Sequence, residues 1–328
     1  MKRFFGANAF VLGVLAAVGL AALRPSIGAG DGVLPVGILK TTGIVGIFFF
    51  QGLVLPFEAL RGGLGNWRLH LCSQIATFVF FPLATVAGLA ATAAVFTQPD
   101  LRMGFLYLAI LPTTIASAVG FTAVAGGNVA GALFNTTLSN VAGVFLVPIL
   151  CLGVIGAGGA GEGPPVGPVL GRVFLTILLP LVIGQILRSV IGGRIDRRKG
   201  AIRRFNTSVI LFMVYAAFCE SFARDTWANL PAGLLAGAAA GVLALLAAGT
   251  AYAWISSGWF GLERSSRITA LMCGGQKTLA VGLPLSVMIF GTGERGIDPG
   301  LLLLPLLLYH PAQLLLAGWV APRLGRGR

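Results

Sequence analysis

The chain has 328 residues, of which 56% are hydrophobic and only 10% are charged, whereas soluble proteins carry about 25% charged residues. Together with a mean hydropathy of +0.92, this composition excludes a soluble globular domain and predicts an all-α polytopic membrane protein whose first partner is the lipid bilayer. The net charge of +13 is expected to reflect membrane topology, so no nucleic acid is expected as a partner.

Ten apolar runs, each bounded by charged residues, glycine or proline, predict ten transmembrane helices. In chain order they cover residues 7–23, 36–55, 69–91, 101–125, 129–154, 169–191, 205–222, 231–257, 268–290 and 301–320. The fourth and fifth runs are barely separated. Nearly the whole chain is therefore expected to lie in the membrane.

The distribution of Lys and Arg predicts the orientation of these helices. With ten helices, both termini share one side of the membrane with the connections that follow helices two, four, six and eight. That side carries sixteen Lys and Arg residues and the other side five. The positive-inside rule then predicts a protein of the cell (inner) membrane with both termini cytoplasmic. For the basic run 194–204, binding of anionic lipid or nucleic acid is the alternative role.

A glycine-rich segment, residues 156–165, interrupts the apolar runs at the midpoint of the chain. It leaves five predicted helices on each side, and an odd number gives the second half the opposite orientation. Two inverted five-helix repeats, residues 1–163 and 164–328, are the pattern expected of secondary transporters. The segment also contains GxGxxG, but no strand precedes it and no βαβ unit follows, so no nucleotide site is expected.

Polar side chains are costly in the hydrocarbon core unless they are paired or face a cavity, so their positions indicate a functional site. The first cluster lies in the fourth and fifth predicted helices, where Pro112 removes a helical N–H group and favours a broken helix. Its candidate substrate- or ion-binding residues are Thr113, Thr114, Ser117, Asn128, Asn135, Thr136, Ser139 and Asn140. Hydrogen bonding between helices is the alternative role for each.

A second cluster lies in the ninth predicted helix, where Gly274 and Gly275 precede Gln276, Lys277 and Thr278. Two glycines in a helix interior cost about 1 kcal/mol each, so this helix is also expected to be interrupted. The fourth and ninth helices hold the same position in the two halves. Paired, interrupted helices at matching positions predict the binding site of a transporter, and we expect the two to cross.

Lys277 is the one ionisable side chain expected deep in a helix, where its insertion costs about 2.5–3.5 kcal/mol. It is interpreted either as a fixed cation lining the transport cavity or as a side chain that binds free carbonyls of a broken helix. Lys40, nearer a helix end, is expected to extend to the interface. His310 and Gln313 flank a proline in the tenth helix and complete the candidate site. Three other amides are expected to join helices: Gln51, Gln74 and Gln185.

Six sequence motifs are spread over nearly the whole chain. They are FFFQGLVLP (48–56), ALRGGLGNWRLHL (59–71), ILPTTIASAV (110–119), AGGNVAGALFNTTLSN (125–140), CGGQKTLAVGLP (273–284) and LLLYHPAQLL (306–315). Together they resemble the bile acid:sodium symporter superfamily, in its sodium/bile acid cotransporter 7-like branch. The resemblance implies a panel of helices one, two, six and seven and a core of helices three to five and eight to ten. It also implies that helices four and nine are unwound where they cross.

The resemblance further implies sodium ligands, although the motifs differ from the better-known bile acid branch. The candidate ligands are Ser117, Thr136 and Gln276. That branch has Asn, Glu and Asn where this sequence has Ala118, Met272 and Lys277. A site that lacks the carboxylate and gains an ammonium is expected to bind cations weakly, because like charges repel in a low dielectric.

These features predict a secondary active transporter that moves a small organic anion by alternating access, without a requirement for sodium. The alternative is a monovalent cation/proton antiporter in which deprotonation of Lys277 replaces a carboxylate, so sodium or a proton is the candidate coupling ion. An intramembrane enzyme is a remote alternative, since the sequence has no GxSxG, HExxH or intramembrane carboxylate pair. We therefore expect no catalytic residues, no certain metal site and no other cofactor.

Overall fold

A computed structural model describes residues 2–29, 34–54, 65–155, 166–224, 227, 230–291 and 296–326. These residues form helices and connections, and the described part of the chain contains no β-strand. Eight helices in it are long and apolar enough to cross a membrane, and two shorter apolar helices cover Ala9–Leu23 and Ala116–Ala125. The prediction of an all-α membrane protein is confirmed at this level. The predicted linker 156–165 lies outside the described residues, as do residues 55–64 between the second and third predicted helices.

Twelve helices are numbered here in chain order. They are α1 Lys2–Leu23, α2 Val36–Val54, α3 Trp67–Ala91, α4 Pro99–Ile110, α5 Ala116–Ala125, α6 Val129–Leu150, α7 with its parts Val166–Val173 and Leu179–Ile191, α8 Lys199–Ala223, α9 Ala232–Trp259, α10 Arg264–Gly274, α11 Leu279–Phe290 and α12 Pro299–Gly325. Five-residue π-helical turns interrupt α3 at Ala76–Phe80 and α7 at Phe174–Leu178, and another follows α6 at Cys151–Ile155.

The chain divides into two compact units. The first unit comprises Met1–Leu55, Pro164–Leu230 and Leu283–Leu301, and it contains α1, α2, α7 and α8. The second unit comprises Pro56–Gly163, Pro231–Gly282 and Leu302–Arg328, and it contains α3 to α6, α9, α10 and most of α12. Each unit is thus assembled from separate stretches of the sequence.

In the first unit, α2 and α7 pack with their backbones in direct contact. A Cβ added at Gly52 would lie 2.0 Å from the Leu181 carbonyl oxygen, and one at Gly184 would lie 2.1 Å from the Phe49 oxygen. Only glycine allows this approach, as at other close helix pairs in membranes. Arg188 on α7 adds two hydrogen bonds, of 3.0 and 3.1 Å, to the last carbonyls of α2 at Leu53 and Val54.

In the second unit, the two predicted interruptions are both present. α4 ends at Ile110 and α5 begins at Ala116, while α10 ends at Gly274 and α11 begins at Leu279. Leu111 is extended, with φ −68° and ψ 147°, because the following Pro112 disfavours helical geometry in its predecessor. Both predicted breaks in helical structure are therefore present, at residues 111–115 and 275–278.

Candidate functional site

The two interruptions meet in the second unit. The Thr278 N–H group donates to the Pro112 carbonyl oxygen at 2.9 Å, which joins the second break directly to the first. We call this junction, residues 111–115 and 275–278, the crossover. In a membrane, the backbone groups that a helix break exposes must find other hydrogen-bond partners. At the crossover, some of these partners are backbone groups of the other broken segment.

Polar side chains of the neighbouring helices bind the remaining main-chain groups. In the first break, the Thr113 N–H donates to the Ser139 hydroxyl at 3.2 Å, and Asn140 donates to the Thr113 carbonyl at 2.8 Å. In the second break, the Gln313 side chain accepts from the Lys277 N–H at 2.6 Å and donates to the Lys277 carbonyl at 2.8 Å. Each break is thus held by the second helix after it in the same half of the chain, α6 or α12.

The Lys277 side chain is completely buried, with 0% of its surface exposed. Its ammonium donates to three main-chain carbonyl oxygens, those of Ala109 at 2.7 Å, Leu111 at 2.9 Å and Thr77 at 3.0 Å. The centre of the Phe81 ring lies 4.2 Å from Nζ and faces the charge, as in a cation–π contact. We call the three oxygens and this ring the carbonyl cage. In this conformation, Lys277 binds carbonyls of a broken helix, the second of the two roles considered for it.

Two prolines explain why these carbonyls are free to bind it. In the π-helical turn of α3, the Phe81 N–H donates to Ala76, and Pro82, five residues after Thr77, has no N–H to offer. In α4, the Ala109 carbonyl loses its usual donor because the chain leaves the helix at Leu111 and the Thr113 N–H turns to Ser139. The cage is therefore a product of Pro82 and Pro112, and Lys277 satisfies it.

A group of polar side chains beside the crossover is less completely hydrogen-bonded; it consists of Gln74, Thr114, Ser117, Asn135 and Gln276. The Ser117 hydroxyl donates to Gln276 Oε1 at 2.6 Å and lies 3.0 Å from Thr114 Oγ1. Gln74 on α3 donates to Asn135 Oδ1 at 2.7 Å. Within the described part of the chain, Gln276 Nε2 and Asn135 Nδ2 are buried donors without a hydrogen-bond partner. Such atoms are rare in native structures and call for an explanation such as a ligand site.

The structure places all thirteen candidate residues in the second unit, although not in one shared role. Asn128 caps α6 by accepting from the Gly131 N–H at 2.8 Å. The Thr136 hydroxyl donates to the Leu133 carbonyl in its own helix at 3.1 Å, and His310 Nδ1 lies 2.9 Å from Gln313 Nε2. Of the candidate sodium ligands, Ser117 and Gln276 are in contact.

One residue outside the candidate set, Lys40, differs from its expected role, whereas Gln74 does not. Gln74 joins helices as expected, since it donates from α3 to Asn135 of α6, and this contact also brings it to the same polar group. Lys40 was expected to extend to the interface, but it is only 6% exposed. This expectation is wrong, because Glu220 of α8 provides an opposite charge near Lys40 inside the first unit.

An all-helical membrane protein with two interrupted helices joined at their breaks has the features of a secondary transporter. Residues 8–326 match the SBF-like CPA transporter family, and the chain belongs to this family. YfeH of Escherichia coli, named as a candidate symporter, is 36% identical over 99% of this chain and 95% of its own length. An uncharacterized protein of Pseudomonas aeruginosa is 33% identical over 99% of this chain and 95% of its own.

A vertebrate relative is similar over nearly as much of the chain. Sodium/bile acid cotransporter 7 of Mus musculus is 31% identical over 95% of this chain and 91% of its own length. The resemblance to the bile acid:sodium symporter superfamily is thereby confirmed. The protein is a multi-pass membrane transporter of this family and not an enzyme.

Proposed function

We propose that this protein is a secondary active transporter that moves a small organic anion by alternating access without requiring sodium. The proposal includes ten transmembrane helices in two inverted repeats, 1–163 and 164–328. The first, second, sixth and seventh helices form the panel, and the others form the core that carries the crossover. Both termini are proposed to face the cytoplasm, in the inner membrane, on the basis of the sixteen-to-five distribution of Lys and Arg.

The observation that carries the proposal is the buried Lys277 side chain at the crossover, whose Nζ donates to three carbonyl oxygens. The carbonyls of Ala109 and Leu111 lie at the negative end of the α4 dipole, which amounts to about half an elementary charge, and the Lys277 ammonium binds both of them. In the part of the chain that the structure describes, no carboxylate pairs with this ammonium. The crossover therefore keeps a net positive charge, which favours an anionic substrate over a cationic one.

The unpaired amides supply a place for the polar end of such a substrate. Gln276 and Asn135 each present a buried N–H₂ donor, and donors of this type bind carboxylate or sulfonate oxygens. Ser117 and Gln74 orient the two amides by binding their oxygens. Substrate recognition is thus assigned to this polar group, while Lys277 contributes through its charge.

The names of the relatives support transport of an organic anion, since one is named for sodium and bile acid. Sodium coupling is the point on which we propose a difference. Met272 and Lys277 stand where the bile acid branch has a carboxylate and an amide, and the Lys277 ammonium lies at the crossover. A second positive charge a few ångströms away in a low dielectric is strongly disfavoured.

Uptake into proteoliposomes tests the proposal. Organic anions, with bile acids among them, are screened under imposed sodium and proton gradients. Uptake is expected to be equal in sodium and in choline buffers, to be abolished in Lys277→Ala and to be largely lost in Lys277→Arg, whose planar guanidinium does not fit three converging carbonyls. Lys40→Ala is the matched control, since it removes a buried lysine from the other unit. Strict sodium dependence, or full uptake by Lys277→Ala, would sink the proposal.

The alternative function, a monovalent cation/proton antiporter, requires Lys277 to release and regain a proton during the cycle. All three ammonium hydrogens are bound by carbonyls here, and these acceptors favour the charged form. The same vesicles distinguish the two functions. Acidification or alkalinisation driven by a sodium or potassium gradient, without any organic anion, would identify the antiporter.

A further inference from the structure

We propose that the carbonyl cage is a binding site for a free ammonium-type cation, which Lys277 fills with its own side chain. Removal of that side chain should open the site to ammonium or methylammonium. This inference goes beyond transport, because it concerns a site that can be measured in the purified protein without any substrate.

The cage is formed by the fold around Lys277 and not by the lysine itself. Its oxygens come from α3 and from the end of α4, and each is exposed by a neighbouring proline or break, at Pro82 or Pro112. None of these causes depends on residue 277. An isolated unbonded carbonyl in the membrane interior is unfavourable, so three that converge on one point require a donor or a cation.

The geometry selects the class of cation. The three oxygens lie 2.7–3.0 Å from Nζ, which is the range of charge-assisted N–H···O hydrogen bonds. The Phe81 ring covers a further side at 4.2 Å, where a cation interacts with the aromatic face. A small cation with three N–H donors matches this arrangement. A quaternary ammonium has no N–H to donate and is too wide.

The main chain at residue 277 is held independently of its side chain. Gln313 binds both the N–H and the carbonyl of Lys277, and the next N–H, of Thr278, binds Pro112. Lys277→Ala therefore removes the ammonium and its methylene groups while these three hydrogen bonds remain available. The space that is vacated runs from Cβ to the three oxygens, which is the volume of an alkylammonium ion.

Thermal unfolding of the purified, detergent-solubilised protein tests the inference. Lys277→Ala is expected to melt below the unmodified protein, and increasing methylammonium chloride should raise its melting temperature saturably, as a bound ligand does. Ammonium chloride should act in the same direction. Tetramethylammonium and sodium chloride at equal ionic strength should not. The unmodified protein and Lys40→Ala should respond to none of these salts.

A second measurement covers the case in which Lys277→Ala unfolds during purification. The variant is then extracted and purified in parallel in methylammonium chloride and in sodium chloride, and the yield of monodisperse protein is compared. A higher yield in the amine supports the site. Equal yields, no folded protein in either salt, or an amine response of the same size in Lys40→Ala would each overturn the proposal.

Pro82→Ala provides a second variant, which changes the cage at a position other than residue 277. The substitution restores an N–H that can donate to Thr77, which removes one oxygen from the cage. When Pro82→Ala is combined with Lys277→Ala, the methylammonium concentration that gives half of the maximal rise in melting temperature should increase at least several-fold. An unchanged response in the double variant would show that the amine binds elsewhere.

Discussion

The Gln313 side chain binds the main chain of Lys277, which makes Gln313 the most direct support of the second break. Both polar ends of its side chain bind residue 277, at 2.6 and 2.8 Å, and Gln313 itself is 1% exposed. A side chain that satisfies a donor and an acceptor at once replaces two hydrogen bonds that a continuous helix would have made.

Gln313→Leu should therefore lower the free energy of unfolding by about 2–4 kcal/mol, because it leaves a buried N–H and a buried carbonyl without partners. Chemical denaturation of the purified protein measures the change. Gln51→Leu, at a partly buried glutamine in the first unit, is the control and should have a small effect. Equal destabilisation by the two substitutions would contradict this role of Gln313.

Gln276 is expected to behave differently, because only half of its amide is bonded. Gln276→Leu removes one hydrogen bond, from Ser117, which costs about 1 kcal/mol of stability. It also removes the unpaired donor that we assign to the substrate, so transport should fall at least about tenfold. Uptake and melting temperature are measured together. A large loss of stability with transport per folded molecule unchanged would identify Gln276 as structural.

For individual residues, the identity of the side chain made part of the site predictable. Lys277 stood out because an ionisable group deep in an apolar run is costly, and Ser117 and Gln276 were chosen because polar groups cluster beside the breaks. The partners of Lys277 were not predictable as specific residues, since they are main-chain oxygens of Thr77, Ala109 and Leu111. Any sequence provides such oxygens, and only the fold decides which ones converge.

Among the helices, the broken pair α4/α5 has the clearest cause. Pro112 lacks the N–H that would bind Leu108, and its ring packs against Gly143 of α6, where an added Cβ would lie 2.8 Å from the ring. The break is thus set both by the chemistry of proline and by the space that a glycine leaves for it.

Pro112→Ala should restore helical hydrogen bonding through residue 112 and draw α4 toward continuity with α5. Transport is expected to be lost while the protein remains folded, because the Ala109 and Leu111 carbonyls then acquire main-chain donors and no longer converge on Lys277. Proteoliposome uptake and circular dichroism are the measurements. Pro148→Ala, at the proline inside α6, is the matched control. Full uptake by Pro112→Ala would contradict the importance of the break.

The helix breaks show which interruptions could be predicted from the periodicity and composition of the sequence and which could not. Pro112 and the Gly274–Gly275 pair predicted both breaks. The π-helical turn at Ala76–Phe80 was not predicted, because it changes hydrogen-bond register by one residue without altering the apolar pattern. Pro82 was the available signal, since a proline in a helix always leaves one earlier carbonyl without its donor.

At the scale of the whole molecule, eight helices among the described residues satisfy the length and hydropathy expected of a span, whereas ten were predicted. The two predicted helices that fall short are the first and the fourth. α5 has ten residues because the break shortens it, and the apolar part of α1 is Ala9–Leu23. Whether both reach across the bilayer decides on which side each later connection lies.

Reporter fusions test this topology. With ten spans, fusions at both termini and after Arg204 should all report a cytoplasmic location, and a fusion after Arg102 should report the opposite side. The physical reason is the bias of Lys and Arg toward the first set of connections. A fusion after Arg204 that reports the external side, or termini on opposite sides, would contradict the ten-helix arrangement.

The carbonyl cage also has an energetic consequence for the transport cycle. A sodium ion that crosses with a substrate releases the energy of its gradient, about 2.3 kcal/mol per charge for each 100 mV of membrane potential. The ammonium in the cage is covalently part of the chain, so it is neither collected on one side nor discharged on the other. It can hold the broken helices together in any salt, but it cannot perform work. Uphill accumulation of a substrate would have to be driven by an exchanged solute or a different ion.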